Sequence, residues 1–117
     1  PGFRAVRSAL PMNLGRNRPL AAPLAEDVHK DIARINAIWT EGASRGGPFL
    51  CGSGMGNADA MFAPVVCRFL SYDVPGLSST AQAYMQAVRQ HPLMVEWYAA
   101  AAREPVEWQL DMYETLA

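Results

Sequence analysis

The side chains that could act as metal ligands or nucleophiles are few in this sequence, and they do not cluster. His29 and His91 each lack a second histidine or cysteine three or four residues away, the spacing that would place two metal ligands on one helix face. Cys51 and Cys67 form no CxxC motif, so we expect free thiols. We therefore predict no metal site, and we expect His91, which precedes a proline, to cap a helix or lie at the surface.

A glycine-rich stretch is the remaining motif that could bind a small molecule. Gly52, Gly54 and Gly56 precede a helical pattern, but no strand pattern stands before them, as a dinucleotide site requires. Nucleophilic catalysis needs a base or several hydrogen-bond donors around a serine, cysteine or tyrosine, and no such arrangement can be recognised in the sequence. We assign no catalytic residue.

Composition narrows the possible partners. A chain of 117 residues fits one domain, and its net charge of −1 argues against general affinity for nucleic acids. Half of the residues are hydrophobic and only 18% are charged, which leaves apolar surface to bury against a partner. No apolar run is long enough to span a membrane, and we expect a cytoplasmic protein.

The central element of the domain is predicted between residues 56 and 70. Apolar side chains recur there every three or four residues, at Ala58, Met61, Phe62, Val65, Val66, Phe69 and Leu70. That period indicates a helix with one continuous apolar face, which we expect to be buried as the core near residues 57–72. Gly56 is its predicted N-cap, and the Asp59 carboxylate is expected to accept a hydrogen bond from the Gly56 amide.

The other periodic segments are helical as well, and no strand pattern or repeat is present, so the fold class is all-α, a bundle of about five to six helices. The expected helices are one ending near Leu10, one from Pro23 to about Glu41, one capped by Ser78 or Ser79 (with Ser79 and Gln82 as a capping box), one opened by His91 and Pro92, and a last one lined by Val106, Leu110 and Tyr113.

Three motifs in these helices carry a family resemblance. The pattern F-L-C-G-x-x-x-x-x-A-D-A-M-F-A-P-V-V at residues 49–66 resembles the central helix of the C-terminal domain of cytosolic glutathione transferases. R-S-x-x-P-M-N at residues 7–13 is similar to the end of the first helix of that domain in bacterial members, and H-P-L-M-x-E-W at residues 91–97 to its penultimate helix. The chain departs from the family at Gly56, where serine or threonine is usual.

The resemblance implies a domain organisation. Residues 1–117 would be the C-terminal helical domain, with its first helix truncated and the thioredoxin-like N-terminal domain absent from this chain. In the family, that missing domain carries the residue that stabilises the glutathione thiolate. The chain alone would then bind no cofactor and be inactive. The parent protein would be a homodimer that uses glutathione as co-substrate.

The resemblance also implies which residues would meet a substrate. In the family, this domain supplies the wall of the pocket for a small electrophile, and the corresponding residues are Phe3, Arg7, Trp108 and Met112. Arg7 stands beside an apolar face and could hold a substrate carboxylate. Two alternatives remain open: a non-enzymatic protein-interaction module of the same fold, and a free-standing helical ligand-binding domain.

Overall fold

The computed structural model describes residues 2–15, 20 and 23–110, and over these residues the chain is all-helical. The prediction of an all-α bundle is confirmed, and the described residues form no strand beyond an isolated bridge between Phe49 and Gly52. The helices are α1 (Arg4–Ala9), α2 (Glu26–Ala43), α3 (Asn57–Ser71), α4 (Ser79–Gln90) and α5 (Pro92–Ala102), followed by a 3-10 turn at Val106–Trp108.

Helix α3, predicted near residues 57–72, is buried over much of its length, and its buried residues include Val65, Val66 and Phe69. Helix α4 packs against α2, α3 and α5, and α1 packs against α2. The core between α2, α3 and α4 is aromatic, since the fully buried Trp39 ring lies 5.4 Å from Phe69 and 5.1 Å from Tyr84, centroid to centroid. Met61, expected on the inner face of α3, is instead 80% exposed. It lies in the first half of α3, at the mouth of a pocket described below.

Two helix starts differ from the sequence predictions. Helix α2 begins at Glu26 and not at Pro23, because Ala25 is still extended (φ −66°, ψ 160°), and this puts two acids in its first turn. In α4 the cap is Ser78, whose Oγ accepts a hydrogen bond from the Ala81 N–H at 3.0 Å. Gln82 is not part of a capping box, because its side-chain amide donates to the Leu77 carbonyl.

Within the described residues, which end at Leu110, the predicted C-terminal helix is not formed. The chain after α5 instead forms a 3-10 turn at Val106–Trp108, and Gln109 is extended again (φ −72°, ψ 139°). Pro105 has no N–H to donate, and the chain turns away from α5 just before it. Tyr113 lies outside the described residues. His91 does cap α5, as expected, through a hydrogen bond from the Leu93 N–H to its Nδ1.

None of the helices in the described part of the chain combines the length and the apolarity that crossing a bilayer requires. The apolar stretch of α5 runs over only eleven residues, Pro92–Ala102.

Candidate functional site

Asp59 is a fully buried polar residue, and its carboxylate lies at the start of α3. The hydrogen bond expected from the Gly56 amide is present, at 2.8 Å to Oδ2. The other oxygen, Oδ1, accepts from the Leu50 N–H at 3.1 Å and from the Tyr84 hydroxyl at 2.9 Å. Three donors from three segments thus compensate the burial of this carboxylate.

The cap of α3 is only half of a reciprocal capping box, since glycine offers no side-chain oxygen. Burial, and then the hydrogen bond to Asp59, raise the pKa of Tyr84 above its usual range. The Tyr84 hydroxyl therefore stays protonated at neutral pH and donates its hydrogen bond to Asp59. We interpret Asp59, Gly56 and Tyr84 as structural residues.

A pocket of about 350 Å³ lies between α1 and α3, and we call it the α1–α3 pocket. Phe3 and Arg7, two of the predicted substrate-pocket residues, both line it. The Phe3 ring lies 6.3 Å from that of Phe62, centroid to centroid. Its lining is apolar apart from two arginines: Gly2, Phe3, Arg7, Met61, Phe62, Pro64, Val65 and Arg68.

Arg68 is a pocket residue that the sequence reading did not single out. Its Nε donates a hydrogen bond to the Leu10 carbonyl at 2.9 Å, which ties α3 to the end of α1. The signal was present, because Met61, Val65 and Arg68 follow one another at four and three residues and so share a helix face. Together with Arg7, it gives the α1–α3 pocket two cationic groups above an apolar wall.

Trp108, the third predicted residue, lies elsewhere. It lines a separate cleft of about 280 Å³, formed by residues 12–15, the last turns of α5 and residues 108–110, and we call it the tryptophan cleft. Trp97 of α5 lines the same cleft and was not singled out from the sequence. The structure therefore does not bring Trp108 together with Phe3 and Arg7, and Met112 lies outside the described residues.

Comparisons with known proteins assign neither site. No protein-family model, curated protein or solved structure matches the chain. What each site can do is therefore inferred from its own residues: an apolar pocket with two guanidinium groups suits an aromatic or aliphatic ligand that carries negative charge.

The cysteines are both free, as expected. Cys51 is exposed, whereas Cys67 is fully buried in α3. Burial raises the pKa of the Cys67 thiol against the opposing effect of its hydrogen bond with Tyr98, so the nucleophilic thiolate is disfavoured. Arg89 lies over the Tyr98 ring, 3.5 Å from its centroid, which fixes this cluster by a cation–π contact. Among the described residues, no three histidines, cysteines or acids are grouped as metal ligands.

Proposed function

We propose that this chain is the C-terminal, electrophile-binding domain of a glutathione transferase. The observation that carries the proposal is the α1–α3 pocket, in which Phe3 and Arg7 share a cavity with the central helix. The hydrogen bond from the Gly56 amide to Asp59 gives further support, because the resembled family has an acid at this position of the helix start. A cytoplasmic, homodimeric parent protein is part of the same proposal.

In this proposal the chain provides binding and orientation, and another domain provides the activated thiolate. The thiolate sulfur of glutathione forms a bond to an electrophilic carbon, and the displaced electron pair leaves with the leaving group or moves onto the substrate. Phe3, Phe62 and Val65 would remove water from the substrate. Arg7 and Arg68 would attract an anionic substituent and so fix its orientation, which lowers the entropic part of the barrier.

The exposed apolar side chains favour a second candidate, a non-enzymatic interaction module. The side chains of Met61, Leu93 and Val106 are 80%, 65% and 75% exposed. They present apolar surface that packing within this bundle does not bury. The two candidates differ in one observable, since an interaction module needs no ligand in the α1–α3 pocket.

A ligand titration of the 117-residue chain tests the proposed pocket. We expect 2,4-dinitrophenolate, an aromatic anion, to shift backbone NMR signals of α1 and α3, whereas glutathione at millimolar concentration should shift none. Arg7→Gln should weaken dinitrophenolate binding about three- to tenfold, because it removes a charge-assisted contact at an exposed side chain. Arg4→Gln is the matched control, since Arg4 lies on α1 but does not line this pocket.

Three results would contradict the proposed pocket. Saturable glutathione binding by this chain alone would show that the recognition of glutathione does not depend on a second domain. Equal losses for Arg4→Gln and Arg7→Gln would indicate unspecific attraction to a basic helix. Shifts confined to the tryptophan cleft would place the ligand elsewhere.

A further inference from the structure

The tryptophan cleft has a chemistry of its own, opposite to that of the α1–α3 pocket. Two indole rings, Trp97 and Trp108, line it from different elements, α5 and the 3-10 turn. Both are substantially exposed, at 37% and 67%. Neither takes part in a ring–ring contact within the described residues, so their faces are not used for packing against another aromatic side chain.

The charge in the cleft is negative. Glu104 is the one ionisable residue among the described residues that line it, and no ion pair among those residues includes Glu104. Trp97 and Ala101 lie four residues apart on α5, and Glu104 follows two residues after the end of that helix, so all three line the cleft near the C-terminal end of α5.

From these features we propose that the tryptophan cleft binds a small organic cation of the alkylated ammonium class. Indole is the aromatic ring that attracts cations most strongly through its face, and quaternary ammonium groups are recognised by cages of such rings. The Glu104 carboxylate supplies the counter-charge, and Gln109 lies within the lining, where its side-chain oxygen can accept a hydrogen bond from a polar substituent. A volume of about 280 Å³ suits a ligand of choline size better than a large one.

The proposal is independent of the glutathione transferase assignment. It uses none of the residues of the α1–α3 pocket, and it would stand if that pocket bound nothing. It also excludes a ligand class, because an anion would be repelled by Glu104 and by the negative faces of the indole rings.

The test compares choline with its neutral isostere 3,3-dimethyl-1-butanol on the 117-residue chain. The indole N–H signals of the three tryptophans report the position directly by NMR. Choline should shift the signals of Trp97 and Trp108 saturably in the millimolar range, and leave that of the buried Trp39 unchanged. The neutral isostere should bind at least about fivefold more weakly, since only the charge differs.

Three variants define the site and the result that would overturn the proposal. Glu104→Gln should weaken choline binding about threefold or more, whereas Glu107→Gln, on the 3-10 turn but outside the lining, should not change it. Trp108→Leu should weaken it about fivefold, and folding should survive because Trp108 is exposed. Equal affinity for the isostere, equal effects of the two glutamate variants, or no saturable shift at tens of millimolar choline would refute the proposal.

Discussion

Asp59→Ala should lower the free energy of unfolding by about 3–5 kcal/mol, because it removes the acceptor of three hydrogen bonds at a fully buried position. The Gly56 and Leu50 amides and the Tyr84 hydroxyl would then be donors without a partner and without water. Each such buried donor costs about 1–3 kcal/mol, and removing the buried charge offsets part of the sum. Because these hydrogen bonds join α3 to α4 and to the segment before α3, the loss should affect the cooperative unfolding of the whole bundle.

Urea unfolding curves of matched variants check this prediction. Asp73→Ala removes the same chemical group at an exposed turn and should lower the free energy of unfolding by only about 1 kcal/mol. This smaller loss is expected because Asp73 has a left-handed backbone (φ 49°) that alanine tolerates less well. Gly56→Ser should be neutral or stabilise by a few tenths of a kcal/mol, because Gly56 is extended (φ −114°) and an added Cβ would lie 3.8 Å from Asp59 Oδ2. Equal midpoints for Asp59→Ala and Asp73→Ala would contradict the role of Asp59.

Trp39→Ala should have an effect of similar size, also about 3–5 kcal/mol, through a different cause. The Trp39 ring is fully buried and contacts the rings of Phe62, Phe69 and Tyr84 at centroid distances of 5.8, 5.4 and 5.1 Å. Truncation therefore opens a cavity at the place where α2, α3 and α4 meet.

The same substitution at Trp108 is the control for Trp39→Ala. Trp108 is 67% exposed, so its replacement by alanine should change stability by less than about 0.5 kcal/mol. Trp39→Phe should lower the free energy of unfolding less than Trp39→Ala, because it keeps an aromatic ring in the core. It also removes the buried indole Nε1, which has no hydrogen-bond partner among the described residues. Thermal unfolding by circular dichroism would measure all three variants, and equal losses for the two alanine variants would contradict this view of the core.

What the sequence could predict was local. The hydrogen bond from the Gly56 amide to Asp59 spans three residues, so spacing alone indicated it. The Leu50 and Tyr84 donors are nine and twenty-five residues from Asp59 and depend on how the segment before α3 and helix α4 pack. The spacing therefore predicted the hydrogen bond at the N-cap, but it could not predict that three segments of the chain donate to one buried carboxylate.

The pockets show the same limit. Phe3, the N-cap of α1, and Arg7, in its last turn, lie four residues apart and line one cavity, a proximity that their short separation in the chain makes expected. The family resemblance grouped Trp108 with Phe3 and Arg7, but in the structure it lines the tryptophan cleft together with Trp97. The chain after α5 forms a short 3-10 turn at this place, where a helix was predicted. The ends of elements depend on tertiary contacts more than their periodic middles do.

Glutathione conjugation by the proposed parent protein tests the proposed function most directly. With 1-chloro-2,4-dinitrobenzene as electrophile, we expect an enzymatic rate, and we expect Phe3→Leu to change the KM for the electrophile severalfold while leaving the KM for glutathione unchanged, since Phe3 lines the α1–α3 pocket. No conjugation above the uncatalysed rate with this and other small electrophiles, or equal changes in both KM values, would contradict the account.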